Sequence, residues 1–347
     1  MTKSLVTGGA GFIGSNLVDR LLEIGHEVVV IDNEYSDAHE QFYWNDDAEN
    51  YKYDIRDYEN TRPLYDGVDY VFHIAAEARI QPAVENPIQA VDINCVGTAT
   101  VLQCSREAGV KKVIYSSTSS AYGMNQIPNK ETQPDDCLNP YSVSKVAGEK
   151  LCKMYTDLFG LKTIIFRYFN VYGERQPIKG QYAPVIGIFL RQNAAGENLT
   201  VVGDGTQRRD FTHVKDVVSA NVLAATTDHS AVEYGAVYNV GNGKNYSINE
   251  IAKMISWKIT HIPPRPGEAK ETLADNDKLR LTFAWKPTIN MVDWIRRAID
   301  ESPKLATPLQ EGTEAEVETT STEASESTPQ TVQKEAHGSS EGRPFVL

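Results

Sequence analysis

The first part of the chain alternates short apolar runs with apolar positions at helical spacing. Leu5 and Val6 form a run without a helical period, whereas the next segment has the pattern of an amphipathic helix. That pattern consists of Phe12, Ile13, Leu17, Val18, Leu21 and Leu22. A second apolar run, 27–31, follows Gly25 and ends at Asp32. The pattern therefore predicts one β-α-β unit.

The same alternation continues to about residue 175. Further strands are predicted at 51–55, 68–76, 110–115 and 163–168. A helical pattern spans 87–108, and Asn139-Pro140, a capping residue before a proline, marks the start of another helix. Strands that alternate with helices indicate the α/β class, here a Rossmann doubly wound parallel sheet.

Beyond residue 175 the alternation becomes irregular, and proline and glycine become more frequent. We expect a Rossmann core over 1–175, with segments at about 210–240 returning to it, and a smaller, mixed α/β domain over 176–302. Residues 303–347 are rich in Glu, Ser and Thr, and such a segment cannot bury enough apolar surface to offset its ordering entropy. We expect 303–347 to be a disordered acidic tail.

Composition narrows the possible partners of the chain. Its 347 residues, 41% of them hydrophobic, can bury a large core, and a net charge of -13 gives no basic surface for DNA or RNA. Apolar runs are too short to span a membrane, and the chain enters its first strand without a signal sequence. The four cysteines have no C-x-x-C spacing, which fits a reducing cytoplasm, and no metal site is predicted.

The glycine loop between the first strand and helix is typical of a dinucleotide site. Gly8, Gly11 and Gly14 would turn the chain, admit a pyrophosphate and allow close helix packing, with helix N–H groups facing the phosphates. The G-x-x-G-x-x-G spacing differs from G-x-G-x-x-G and could mark an ordinary turn. Asp32, about 20 residues further on, favours the cofactor interpretation, because a carboxylate there binds ribose hydroxyls and repels a 2′-phosphate. NAD is expected rather than NADP.

Candidate catalytic groups follow two later elements. The strand at 110–115 runs into the hydroxyl cluster 116–120, which is either a ligand site at a strand end or a polar loop. Tyr141 and Lys145, four residues apart on a helix, share one face. A tyrosine pKa near 10 is too high for a base at neutral pH, but a nearby ammonium favours the phenolate. His73, alone in a strand, is expected to be a core residue.

Two arginines beside glycines are candidates to bind a diphosphate. Arg209 follows the run 201–208, and Arg265 lies in the segment 264–268. Such arginines can bind phosphates with two parallel hydrogen bonds, although an ordinary surface ion pair would have the same local sequence.

Taken together, these motifs resemble the extended short-chain dehydrogenase/reductase superfamily, most closely its nucleotide-sugar 4-epimerases, over residues 3–300. Gly8, Gly11 and Gly14 match the family's cofactor loop. The catalytic residues implied by the resemblance are Thr118, Tyr141 and Lys145. The resulting cofactor set is Gly8, Gly11, Phe12, Ile13, Gly14, Asp32, Asn33, Asp54, Ile55, Ala75, Ala76, Asn94, Ser116, Tyr141, Lys145 and Tyr168.

The resemblance also implies a substrate set. Arg167-Tyr168-Phe169-Asn170 is similar to the family's R-Y-F-N segment, whose asparagine contacts a diphosphate, and Arg209, Arg265 and Glu268 fall on R-D-[FY] and R-x-G-[DE] motifs. The substrate-binding residues so predicted are Arg79, Thr118, Asn170, Arg209, Arg265, Glu268 and Thr272.

One departure from the family bears on the reaction. Related dehydratases carry Asp-Glu after the catalytic threonine, and UDP-glucuronate decarboxylases keep the Glu, whereas this chain has Ser119-Ser120. Without those proton-transfer groups, oxidation and re-reduction at C4 is the expected reaction. Tyr141 would take the proton of the 4-hydroxyl, directly or through Thr118, and the NAD would be regenerated.

The identity of the sugar remains open at this stage. The resemblance places Thr272 where a bulky tyrosine would exclude an N-acetyl group, which favours UDP-GlcNAc/UDP-GalNAc, with UDP-Glc/UDP-Gal also possible. Arg79 could instead pair with a uronate and make the protein a UDP-glucuronate 4-epimerase. A nucleotide-sugar reductase, a dehydratase and a non-enzymatic dinucleotide sensor are further alternatives. The resemblance implies a homodimer formed through helices near 90–108 and 140–157.

Overall fold

The computed structural model describes residues 1–39, 41–178 and 183–301. The predicted tail lies outside these residues. The strands are β1 (Lys3–Thr7), β2 (Glu27–Ile31), β3 (Glu49–Tyr51), β4 (Tyr70–His73), β5 (Lys112–Thr118), β6 (Thr163–Tyr168), β7 (Val171–Tyr172), β8 (Leu199–Val202), β9 (Arg208–Asp210), β10 (Thr212–His213), β11 (Ala236–Val240), β12 (Asn245–Ser247) and β13 (Ile259–Ile262). The helices are α1 (Phe12–Glu23), α2 (Tyr58–Thr61), α3 (Ile80–Glu85), α4 (Pro87–Val91), α5 (Gly97–Glu107), α6 (Pro140–Phe159), α7 (Val185–Ala194), α8 (Val214–Thr226), α9 (Ile248–Ile255), α10 (Asp277–Phe283) and α11 (Met291–Glu301).

Seven parallel strands form the central sheet in the order β11-β6-β5-β4-β1-β2-β3. The side chains of successive residues in β1 pack on opposite faces of this sheet. Leu5 packs in one core cluster with α5 and α6, and Val6 packs in the other with α1 and α8. Apolar runs without polar alternation are therefore required, because both faces are covered by helices. The predicted Rossmann sheet is confirmed.

Four predicted elements have different bounds in the structure. The strand expected at 68–76 is confined to Tyr70–His73. The strand expected at 51–55 ends at Tyr51. Beyond the strand, the Asp54 carboxylate accepts hydrogen bonds from the side chains of Asn33 and Arg56. The strand expected at 110–115 extends to Thr118, because β6 pairs with it to its last residue. The helical pattern 87–108 is interrupted by a π-helical turn at 92–96, a feature often found at functional sites.

The segment after β6 makes a third core cluster and three small two-stranded sheets. Its core joins α7, α9 and α11 through Ile186, Phe189, Ile251 and Ile295. The small sheets pair β7 with β10, β9 with β12 and β8 with β13. Within this segment β11 returns to the edge of the central sheet, beside β6. The boundaries of the two expected domains stay a prediction.

Candidate active site

The turn between β1 and α1 has room only for glycine at two positions. Gly8 has a φ of +70°, and a Cβ there would lie 2.7 Å from the Ala75 nitrogen. A Cβ on Gly14 would lie 2.0 Å from the Gly8 carbonyl oxygen. Gly11 caps the start of α1 with extended backbone. This turn therefore leaves the first N–H groups of α1 open to a phosphate.

A cavity of about 410 Å³ opens above this turn and extends to the ends of β4 and β5. Asp32 lies at its wall, where its carboxylate accepts the N–H groups of Ala10 (3.1 Å) and Glu34 (2.8 Å), and burial raises its pKa. The glycine cradle and this acid fit a dinucleotide. The predicted cofactor residues on the cavity wall are Gly8, Gly11, Phe12, Ile13, Gly14, Asp32, Asn33, Asp54, Ile55, Ala75, Ala76, Tyr141 and Tyr168.

Three predicted cofactor residues are not on that wall. Asn94 lies in the π-helical turn and binds the backbone of Glu77, while Ser116 donates a hydrogen bond to the Tyr168 hydroxyl at 3.0 Å. Lys145 is buried behind the cavity, with its Nζ 4.3 Å from the centre of the Tyr115 ring. In this structure these residues support the wall.

Thr118 and Tyr141 meet at the cavity from two elements. Thr118 is the last residue of β5, and Tyr141 lies in the first turn of α6, which begins where Asn139 accepts the Ser142 N–H at 2.8 Å. The expected lowering of the Tyr141 pKa is absent in the protein without cofactor. Burial raises the pKa of Tyr141, a hydrogen bond with Thr118 lowers it, and burial lowers the pKa of Lys145 to about 8. The Lys145 ammonium lies against the Tyr115 ring instead.

A second cavity, of about 810 Å³, adjoins the first. The two share the side chains Ile80, Ser119, Ser120 and Asn170 in their walls. Five of the predicted substrate residues line the larger cavity: Asn170, Arg209, Arg265, Glu268 and Thr272. The hydroxyl pair Ser119-Ser120 therefore lies between the two cavities, next to Thr118.

A buried carboxylate, Asp210, lies next to Arg209 in the chain and joins the loop 242–243 to Ala274. Asp210 accepts the N–H groups of Asn242 (2.8 Å), Gly243 (2.9 Å) and Ala274 (3.1 Å). Burial raises the pKa of Asp210 to about 6. Its neighbour Arg209 is paired with Glu268 at 3.4 Å. Asp210 was missed by the sequence analysis, although it belongs to the same R-D-[FY] motif as Arg209.

Asn170 and Thr272 lie side by side in the larger cavity. Asn170 has a φ of +27°, and its Nδ2 donates to the Asp210 carbonyl oxygen at 2.9 Å. The same amide lies 3.4 Å from Thr272 Oγ1. A strained backbone at this position is typical of a functional site.

Arg79, on which the uronate hypothesis depends, lies among carboxylates. Its guanidinium is paired with Asp37 at 2.6 Å and lies 3.6 Å from Glu77, on the wall of the smaller cavity. Both of its partners are carboxylates, so the positive charge is already balanced.

The structure also brings Arg191 and Gln192 to the larger cavity; the sequence analysis did not single out either residue.

The described part of the chain contains neither a membrane-spanning helix nor a candidate metal site. No helix in the described part of the chain is long and apolar enough to cross a bilayer. Nor do residues 1–39, 41–178 and 183–301 contain a cluster of His, Cys, Asp and Glu that could hold a metal ion. His73 is buried between Thr7 and Thr98, with hydrogen bonds of 2.8 and 3.0 Å, as expected of a core residue.

The chain combines a Rossmann fold with two adjoining cavities, and Thr118 and Tyr141 lie on the wall of the smaller cavity. The model of the NAD dependent epimerase/dehydratase family matches residues 4–241, so the chain belongs to this family. The expected family and cofactor are thereby confirmed.

Curated relatives and solved structures agree with this assignment. A UDP-glucose 4-epimerase from Mycolicibacterium smegmatis is 34% identical over 86% of this chain and 97% of its own length. A UDP-N-acetyl-alpha-D-glucosaminuronate decarboxylase from Bacillus cytotoxicus is 38% identical over 75% of this chain and 83% of its own.

Two solved epimerases cover 86% of this chain. The UDP-glucose 4-epimerase of Thermotoga maritima with UDP-glucose superposes with a TM-score of 0.80, at 33% identity and over 98% of its own chain. The UDP-N-acetylglucosamine 4-epimerase of Methanobrevibacter ruminantium in complex with UDP-N-acetylmuramic acid gives 0.79, at 32% identity and over 97% of its own chain.

Proposed function

We propose that this protein catalyses the NAD-dependent 4-epimerisation of a UDP-hexose. The observation that carries the proposal is that Thr118 and Tyr141 lie on the wall of the cavity above the glycine turn, which adjoins a larger cavity lined by arginines. Serines occupy the two positions after Thr118, between the cavities. The pair can move a proton at one sugar hydroxyl, and the serines cannot supply an acid and a base for elimination.

Each residue has a separate task in the proposed reaction. NAD, when bound, accepts a hydride from C4 and returns it. Tyr141 takes the proton of the 4-hydroxyl, directly or through Thr118, and gives it back. Lys145 carries the ammonium that favours the phenolate. Asn170, Arg209 and Arg265 hold the diphosphate, so that the sugar can turn over while the nucleotide stays bound.

The sugar that fits best is an N-acetylhexosamine or a hexose. Thr272 is short and lines the larger cavity beside Asn170, which leaves room for an acetamido group. The solved UDP-N-acetylglucosamine 4-epimerase supports this choice, and the solved UDP-glucose 4-epimerase supports UDP-Glc/UDP-Gal. UDP-glucuronate is disfavoured as the substrate, because Arg79 is already paired with the carboxylate of Asp37.

Incubation of the purified protein without reductant tests the proposal. UDP-GlcNAc, UDP-Glc and UDP-glucuronate are supplied separately, and proton NMR resolves the 4-epimers. We expect epimers of the first two and no change in absorbance at 340 nm. Loss of carbon dioxide, loss of water or net consumption of NADH would instead identify a decarboxylase, a dehydratase or a reductase.

The substitution Thr272→Tyr sharpens the assignment of the sugar. A tyrosine would project into the space that we assign to the acetamido group. We expect the kcat/KM for UDP-GlcNAc to fall by about tenfold or more relative to that for UDP-Glc. Thr260→Tyr, on the exposed part of β13, is the control and should leave this ratio unchanged.

We further propose that the protein is a cytoplasmic homodimer. Ile88 on α4 is 82% exposed and Leu158 on α6 is 68% exposed, and Val143 on α6 and Val96 in the π-helical turn after α4 are also exposed. A second copy would cover these side chains. The four cysteines, all in described positions, are unpaired, which suits a reducing compartment. Light scattering should give twice the chain mass, and Ile88→Asp with Leu158→Asp should give a monomer.

A further inference from the structure

Glu77 is a buried carboxylate in the cavity that holds the catalytic pair. It follows Ala75-Ala76 at the end of β4, is 4% exposed and lines the same wall as Thr118 and Tyr141. Burial of an ionised carboxylate is costly, so its retention requires compensating contacts or a function.

The position of Glu77 is fixed relative to the helix that carries Tyr141. Asn94 accepts the Glu77 N–H at 2.9 Å and donates to its carbonyl oxygen at 3.0 Å. The same Asn94 amide also donates to Ser144 Oγ on α6 at 2.9 Å. One asparagine in the π-helical turn thus holds both the Glu77 backbone and the catalytic helix.

The charge of Glu77 is only partly balanced. Arg79 donates its backbone N–H to Glu77 Oε1 at 3.1 Å, and its Nε lies 3.6 Å away, but its Nη1 is paired with Asp37. Tyr35 also contacts the carboxylate. Two carboxylates around one guanidinium leave one net negative charge beside the site of proton transfer. Consistent with this, the charge of Glu77 acts to raise the pKa of Tyr141.

We propose that Glu77 is a substrate-specificity residue, whose carboxylate accepts a hydrogen bond from a hydroxyl of a neutral hexose and repels the carboxylate of a hexuronate. The inference rests on the proposed UDP-hexose function. It also explains how Arg79 can lie in the wall without attracting a uronate, because Glu77 and Asp37 already occupy its guanidinium.

Binding measurements separate this inference from the reaction itself. The affinities of the NAD-saturated protein for UDP-glucose and UDP-glucuronate are measured by calorimetry for the unchanged chain, Glu77→Gln and Glu131→Gln. Glu131 is the matched control, since it is a half-buried carboxylate outside both cavities that accepts the Asn239 N–H at 2.9 Å.

We expect the unchanged protein to bind UDP-glucose at least about tenfold more tightly than UDP-glucuronate. Glu77→Gln should move this ratio toward the uronate by about tenfold or more, because it removes the repulsion, while Arg79 stays paired with Asp37. Glu131→Gln should leave the ratio unchanged. A ratio that is the same in Glu77→Gln overturns the inference, and so does an equal loss for both sugars, which indicates a merely structural role.

Three further outcomes separate the specificity role of Glu77 from the proposed reaction. If Glu77→Gln does not fold, Glu77→Asp replaces it: the shorter acid should weaken UDP-glucose binding several-fold, and an unchanged affinity would refute the contact. If the unchanged protein binds both sugars with the expected preference but forms no epimer, the proposed reaction fails and the specificity role stands. Failure to bind either sugar overturns both.

Discussion

The two cavities of the active site are built in different ways. The cofactor side is mainly backbone: a turn between adjacent elements in which Gly14 lies against Gly8. The substrate side is a set of side chains from distant parts of the chain, and two segments, at 242–243 and at Ala274, donate backbone N–H groups to Asp210. A backbone cradle depends on the absence of side chains, whereas a side-chain cluster depends on a buried group that holds it together.

The largest effect is expected at Tyr141, which lines the smaller cavity next to the serines that both cavities share. Tyr141→Phe removes the hydroxyl that transfers the proton and keeps the ring that lines the cavity. We expect turnover to fall by about 10²–10⁴-fold, while NAD still copurifies. The epimer assay and the NAD content of the denatured protein check this. Turnover at the original rate would remove Tyr141 from the mechanism.

The substitution Gly14→Ala should disturb only the cofactor cavity. Its Cβ would lie 2.0 Å from the Gly8 carbonyl oxygen, so the turn must shift. We expect NAD affinity to fall by roughly a hundredfold and the protein to be isolated without cofactor. Gly25→Asn is the control, because nothing lies within 4 Å of that site and asparagine tolerates its φ of +85°. Full NAD content in Gly14→Ala would show that the turn adapts.

The substitution Asp210→Ala should disturb only the substrate cavity. Three buried N–H groups lose their acceptor, so the free energy of unfolding should fall by about 2–4 kcal/mol. The KM for the UDP-sugar should rise, because Arg209 and Thr272 lie on the segments that Asp210 joins, and NAD content should stay unchanged. Urea titration and steady-state kinetics measure both. A loss of NAD instead would mean that the two sides are not independent.

The two sides should also respond to pH in opposite directions. The pKa of Asp210 is raised to about 6, so the folded state binds its proton more tightly than the unfolded state and stability falls as pH rises from about 4 to 6. The pKa of Lys145 is lowered to about 8, so in the cofactor-free protein stability rises from about pH 8 to 10. Each effect is at most about 3 kcal/mol. Asp210→Asn and Lys145→Met should each remove one slope, measured by urea unfolding across pH.

The sequence determined those features of the protein that depend on neighbouring residues. The β1-α1-β2 unit, the glycine turn and the start of α6 at Asn139 follow from spacing over a few residues, and the structure has them where the pattern predicts them. The approach of Thr118 to Tyr141 could also be expected, because a strand end and a helix start carry them in a known family arrangement.

The tertiary structure alone decided the environment of those groups. The sequence left open whether Arg79 pairs with a uronate, and the structure places Asp37 and Glu77 beside its guanidinium. It placed Lys145 beside Tyr141, but the ammonium packs on Tyr115, from the neighbouring strand. Burial and pairing depend on side chains that are distant in sequence, and a local pattern carries no information on which of them will meet. The chain thus specified the chemical groups of the site, and only their packing set their charges and contacts.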